Sequence, residues 1–318
     1  MAMEHTDHPL QRPPLRSARS RVFDSERWAH YQPRSDDIVI ATYPKCGTTW
    51  TQRIVAMLVF QSAAPTPIWE SSPWFDMRIF GPVEAVAAAA EAIAHRRFLK
   101  SHLPFDTLPV FPGMKFIHVA RDGRDAAMSF HNHQRNFSAQ ALEMCDQVSL
   151  ADPKFGDPYP RASADPAEFF AGWVEDGGAE GDPLVSFYHL ENSFWDARHR
   201  PDVLLVHYND LKQDRGGEMR RIAEFLEIAV DEDLWPELVE AAGFEAMKRN
   251  ADVLLPMAQG LWDQGAQRFL HKGTNGRWRD VVEPGDLARY EARVAEEFPP
   301  ALAHWIANGR SGGDPRAA

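Results

Sequence analysis

The stretch Ile38-Val39-Ile40-Ala41-Thr42-Tyr43-Pro44-Lys45-Cys46-Gly47-Thr48-Thr49-Trp50 joins two patterns in a short span. Ile38 to Ala41 is a brief apolar run of the kind that forms a buried strand. Thr48 to about Phe60 reads as a helix. A lysine, a glycine and two hydroxyls therefore occupy a strand-to-helix turn. There the first N–H groups of the helix are free and the dipole end is positive, which suits a bound phosphate. The P-loop of nucleotide triphosphatases places glycine before its lysine. Here Lys45 precedes Gly47 and no upstream glycine exists, so this is not a Walker A sequence. Taken alone, an anion cradle and a threonine-capped helix start account for the turn equally well.

Three further apolar runs read as strands: Phe98–Leu99, Phe116–Ala120 and Val203–His207. Helical patterns separate them, among them the alanine-rich stretch Val83 to Ala94. Alternation of strand and helix predicts parallel βαβ units with helices on both faces. The expected fold class is α/β: a single-domain, P-loop-like, three-layer fold with a central, mainly parallel sheet flanked by helices. In such sheets ligands gather at the carboxyl ends of the strands. Each of the first three runs is followed at once by candidate chemistry: Lys45, then Lys100 and His102, then Arg121.

The bulk properties exclude several classes. The chain has 318 residues, 44% hydrophobic and 25% charged, which is ordinary for a globular protein. No apolar run reaches the length of about 18 residues needed to cross a bilayer. The net charge of −12 argues against nucleic acid as a partner but not against a small anion. Two cysteines, Cys46 and Cys145, make no disulfide framework, and a cytoplasmic location is expected. Nothing has zinc-ligand spacing, and no metal is expected. Residues 1–20 and 310–318 are expected to be flexible tails, with the domain spanning 21–309. Phe137 to Pro201, rich in Asp, Pro, Gly and Ala, reads as loops and short helices that build a substrate pocket. Asn250 to Lys272, with Gly260 and Gly265, reads as a mobile lid that brings Phe269 and Lys272 over a ligand.

Three more groups carry chemistry. In Lys100-Ser101-His102-Leu103-Pro104, a histidine able to take a proton near neutral pH adjoins a lysine able to hold negative charge. In Arg121-Asp122-Gly123-Arg124-Asp125, Arg121 leaves a strand and Ser129 lies about two helical turns on. Both suit a phosphate, whereas Arg124 and Asp125 read as an ion pair at the helix start. His271-Lys272-Gly273-Thr274-Asn275-Gly276 is a late glycine-bearing loop.

Together these four groups resemble the cytosolic sulfotransferases, which use 3′-phosphoadenosine-5′-phosphosulfate (PAPS). The family's Tyr-Pro-Lys-Ser-Gly-Thr-Thr-Trp appears with Cys46 for serine. Its Lys-Thr-His-Leu-Pro appears at Lys100 to Pro104, its Arg with a Ser eight residues on at Arg121 and Ser129, and its Arg-Lys-Gly-x-x-Gly at His271 to Gly276. Order and spacing agree across roughly residues 35 to 280.

The resemblance implies that Lys45, Cys46, Gly47, Thr48 and Thr49 hold the 5′-phosphosulfate. Arg121, Ser129, His271, Lys272 and Gly273 would hold the 3′-phosphate. Trp50 and Phe244 would sandwich the adenine, with Tyr208 at its edge. It makes His102 the base and gives Lys45 and Lys100 the developing charge. PAPS would be the co-substrate and PAP the product, with a small-molecule or lipid hydroxyl as acceptor, as in bacterial members that act on glycolipids. Trp69, Trp74, Phe75, Phe80, Phe137 and Trp173 are candidate acceptor walls, beside His102.

Four departures stand out. His271 replaces the usual arginine, so its phosphate contact is expected to be weaker or pH-dependent. Arg277 replaces an aspartate. The Cys46 thiol, near a helix N-terminus, is expected to be reactive. The family's dimer motif has no match in Arg279 to Tyr290, which leaves the oligomeric state open. The competing reading is a nucleotide-dependent phosphotransferase with Asp122 and Asp210 as magnesium ligands.

Overall fold

A computed structural model describes residues 10–317. Its centre is a four-stranded, all-parallel sheet of β1 (Ile38–Ala41), β2 (Phe98–Ser101), β3 (Lys115–Ala120) and β4 (Val203–His207), in the order β2-β1-β3-β4. The sheet is buried on both faces, so its strands read as continuous apolar runs.

Alternate side chains serve opposite layers. Ile38 and Ile40 pack with Ile54 of α1 (Thr48–Phe60) and Ile222 of the helix Arg215–Leu226. Val39 and Ala41 pack with Phe187 and Phe194 of the helix Phe187–Asp196. Three layers result, as the alternation of strand and helix predicts. A smaller cluster of Ile68, Met247, Leu254, Leu261 and Trp262 lies beside the partly buried Trp50, Trp69 and Phe269.

Topology and register place the site. β1 has β2 on one side and β3 on the other, so the order of strand connection reverses there and a crevice opens at its carboxyl end. Ala41 sits opposite both Ser101 and His118, which makes Thr42 and His102 neighbours just beyond the edge. Ala120 sits opposite His207, which sets Arg121 beside Tyr208.

The described parts of both expected tails are packed. Gln11 and Arg12 bond Val110, and the Arg12 guanidinium stacks on Phe105 at 4.5 Å. Ala18 and Ser20 are fully buried. Arg310 pairs with Glu218 at 2.7 Å and Arg316 donates to the Val203 carbonyl at 2.8 Å. Long cationic side chains anchor these segments by donating to carbonyls and carboxylates, which polar composition conceals. Residues 1–9 and 318 lie outside the described residues.

The span from Phe137 to Pro201 is more helical than expected. It holds Ala139–Ala151, Pro166–Asp176 and Phe187–Asp196, each begun by a side-chain cap from Ser138, Asp165 or Ser186. Among the described residues, no helix is long and apolar enough to cross a membrane.

Candidate active site

A cavity of about 310 Å³ opens at the switch point. Its floor is the turn after β1. Lys45 adopts a left-handed conformation (φ 68°), uncommon for a residue with a side chain and typical of functional turns. Gly47 (φ 118°) caps α1, and a Cβ there would lie 3.1 Å from the Tyr208 ring. The positive φ favours glycine, and the ring leaves little room for a side chain. No side chain caps the helix start, and first-turn amides have no partner within a helix, so an anion-accepting end faces the cavity. The two hydroxyls differ: Thr48 Oγ1 lies 2.6 Å from Thr42 Oγ1, which itself donates to the Tyr43 carbonyl, whereas Thr49 lines the cavity without that tie.

At one end three groups converge. His102 Nδ1 lies 2.6 Å from the Thr42 carbonyl. A carbonyl only accepts, so Nδ1 carries the proton and Nε2 is left as a base. Burial holds the ring's pKa well below its ordinary value, with the charge of Lys100 adding to this, so the free base is the resting form at neutral pH. Lys100 Nζ sits 3.3 Å from the centre of the Trp74 ring, a cation–π contact. Burial, then the charge of Lys45, lowers the Lys100 pKa well below the usual range. Asp76, which sequence reasoning missed, accepts from the His102 amide at 3.1 Å and the Trp74 indole at 3.2 Å, holding base and wall together.

Lys45 Nζ lies 3.3 Å from His133 Nδ1 and 4.3 Å from the centre of the Phe269 ring. Burial, then repulsion from Arg121 and Arg277, pushes its pKa down to about 7.

The other end is cationic despite the acidic net charge. Arg121 is buried, donates to the Lys45 carbonyl at 3.0 Å and to Asn275 Oδ1 at 2.8 Å, and stacks on Tyr208 at 4.2 Å. Its buried Nε has no partner. Ser129, Lys212, Arg215, His271, Lys272 and Arg277 line the same end. Gly273 packs against Phe244, where a Cβ would meet the ring at 2.6 Å. Trp50 meets Tyr208 edge-on at 5.4 Å and donates to the Ala242 carbonyl at 2.8 Å, close in sequence to Phe244.

Most expected site residues therefore share one cavity: Lys45, Gly47, Thr48, Thr49, Trp50, Lys100, His102, Arg121, Ser129, Tyr208, Phe244, His271, Lys272 and Gly273, with Trp69, Trp74, Phe80 and Phe137 as walls. Three expectations are corrected. Phe75 is core, packed on Trp28 and Tyr31, because side chains alternate and its neighbour Trp74 takes the cavity face. Trp173 is core as well, its indole donating to Tyr43 Oη at 2.8 Å. The Cys46 thiol points into the core, and burial raises its pKa well above the ordinary value, so it is not activated.

The proposed magnesium ligands of the competing reading are otherwise engaged. Asp122 pairs with Arg124 at 2.6 Å, and Asp210 accepts from the Arg310 amide at 3.0 Å. Sequence reasoning missed His133, Lys212, Tyr159 and Glu180, which also line the cavity. Helical spacing was the available signal for two of them: His133 lies four residues after Ser129, and Lys212 four after Tyr208.

A family model for the sulfotransferase domain matches residues 35–298. The chain belongs to the sulfotransferase domain family. It is 34% identical to a glycolipid sulfotransferase of Mycobacterium bovis (strain BCG / Pasteur 1173P2) across 93% of this chain and 95% of that one. It is 27% identical to the rat sulfotransferase 1A1 across 82% and 84%. Two solved structures share the fold. Mouse sulfotransferase SULT7A1 complexed with PAP has a TM-score of 0.61 at 20% identity, covering 86% of this chain and 87% of that one. Retinol dehydratase in complex with androsterone and PAP has 0.66 at 22%, covering 86% and 84%. This sulfotransferase thus carries Lys45, Lys100, His102 and Arg121 at the carboxyl edge of its parallel sheet.

Proposed function

We propose that this sulfotransferase moves the sulfonate of PAPS to the hydroxyl of a small or lipidic acceptor, giving PAP and a sulfate ester. The observation that carries this reading is the convergence of Lys45, Lys100 and His102 on one end of a cavity whose other end is ringed by Arg121, Lys212, Lys272 and Arg277. An anionic nucleotide fits the cationic end, and the unpartnered Nε of Arg121 is suited to one of its phosphates. Trp50, Tyr208 and Phe244 supply an aromatic site for the base.

The acceptor oxygen attacks sulfur as the bond from sulfur to the bridging phosphate oxygen breaks. Its proton passes to His102 Nε2, already in the base form. Lys45 holds the charge that develops on the bridging oxygen, and Lys100 holds the sulfonyl oxygens. Positioning and fixed charge do most of the work, as in loose phosphoryl transfer. Trp74, Phe80 and Phe137 give the acceptor an apolar wall, and the mycobacterial relative's name supports a lipidic alcohol. The buried, free thiols of Cys46 and Cys145 support a reducing, cytoplasmic setting.

Thermal unfolding tests the nucleotide assignment. PAP raises the Tm on this reading, whereas stabilisation by ATP with magnesium and not by PAP would overturn it.

A further inference from the structure

Among the described residues lining the cavity, Glu180 is the sole carboxylate. It cannot serve the nucleotide end, where a polyanion is held and a second negative charge would repel it. Its place is on the acceptor side. The Arg21 amide donates to the Glu180 carbonyl at 3.0 Å, the next residues Val22 and Phe23 line the cavity, and the Phe23 ring lies 5.5 Å from that of His102.

The carboxylate is half satisfied. Oε1 accepts from Tyr159 Oη at 2.5 Å and Gln134 Nε2 at 3.2 Å. Oε2 is buried with no partner. An unpaired buried acceptor is costly and is expected to have a use. Burial pushes the Glu180 pKa up to about 7, against the pull of the Tyr159 hydroxyl, consistent with an acceptor short of donors. Its backbone is left-handed (φ 49°), an uncommon conformation for glutamate.

We propose that Glu180 is a specificity-determining residue that accepts a hydrogen bond from a second hydroxyl of the acceptor, so that the preferred substrates are uncharged diols and sugars. Oε2 receives that hydroxyl while Tyr159 and Gln134 hold Oε1 in place. The neighbouring walls, Val22, Met77, Ile79, Ala141 and Cys145, are apolar and give the rest of the molecule no competing polar partner. A cationic acceptor is disfavoured, because the same cavity is lined by the cations Arg121 and Lys272. This inference rests on the hydroxyl-acceptor reading above and narrows it.

The test compares sulfonate transfer from PAPS to n-octyl β-D-glucoside, octan-1-ol and 8-amino-octan-1-ol by the wild-type chain and by Glu180→Gln. Glutamine keeps the size and adds no new backbone strain. A Glu180→Ala variant serves as a second probe, with thermal unfolding of both as a check on folding. The wild type is expected to favour the glucoside over octanol in kcat/KM by at least about tenfold, mainly through KM, with the ratio falling toward one in Glu180→Ala and falling less in Glu180→Gln, whose amide oxygen still accepts. An unchanged ratio in folded Glu180→Ala would overturn the assignment. A preference lost for the amino alcohol alone would overturn it in favour of an ammonium site. If PAP stabilises the wild type but none of the three alcohols is sulfonated, the hydroxyl-acceptor reading itself fails, a result distinct from an unchanged ratio.

Discussion

His102 Nδ1 is 2.6 Å from the carbonyl oxygen of Thr42, the residue that leads from β1 into the anion-binding turn. One hydrogen bond thus fixes the tautomer of His102 and ties its ring to the turn that carries Lys45. The register of β1 and β2 makes this possible, since Ala41 and Ser101 are opposite one another. Replacing His102 with alanine should lower turnover by about 10²–10⁴-fold while PAP still binds, because the ring serves proton transfer and not the phosphates. Near-normal turnover, read by a PAP-release assay, would remove His102 from the mechanism.

Arg121 has the opposite profile. Its guanidinium is pre-positioned by the Lys45 carbonyl, Asn275 and Tyr208, with Nε free. Arg121→Ala is expected to weaken PAP binding by about 10–100-fold, the value of one charge-assisted contact, when measured by calorimetry. Arg121→Lys should recover only part of this, since a point charge cannot reproduce the planar fork. Unchanged affinity in both variants would refute the phosphate role.

Lys45 gives a pH signature. Its pKa in the free protein is pushed down to about 7, so the ammonium that attracts the nucleotide is present below that pH and lost above it. PAP affinity is therefore expected to fall as pH rises from 7 to 9, toward a limit of about tenfold per unit. Lys45→Ala should flatten that dependence, and a profile identical in wild type and variant would contradict the assignment.

Stability should respond in the other direction. Burial pushes the His207 pKa down to about 4, while its Nε2 donates to the Ile306 carbonyl at 3.0 Å. The unfolded chain binds a proton near pH 6.5 that the folded chain refuses until about pH 4. Between these values stability falls as pH falls, by about 1.4 kcal/mol per unit for each such group. His102 and His133 are depressed in the same sense. Tm should decrease from pH 7 to pH 5, and His207→Gln should reduce the slope; an unaltered slope would exclude His207 as a source.

The sheet was legible because buried parallel strands are continuous apolar runs, and Ile38–Ala41 and Val203–His207 could be read to the residue. That Lys45, Lys100, His102 and Arg121 share one cavity was legible because they follow those runs directly. What remained hidden depends on side-chain direction and on long-range contact. Trp74 and Phe75 are adjacent, yet one faces Lys100 and the other Trp28. Cys46 lies in the anion-binding turn but points into the core. Glu180 and Tyr159 meet Gln134 only after the helices from Ser138 onward are packed, and no local pattern marks that meeting. The terminal segments escaped for the same reason: Arg12 and Arg316 find carbonyls about a hundred residues away.

The most direct test is transfer itself. With PAPS labelled at sulfur and a long-chain alcohol or glycoside as acceptor, the account predicts one PAP formed per sulfated acceptor, with the label in the ester and formation slowed by about 10²–10⁴-fold in His102→Ala. Label released only as inorganic sulfate, at a rate indifferent to acceptor and to His102, would contradict it.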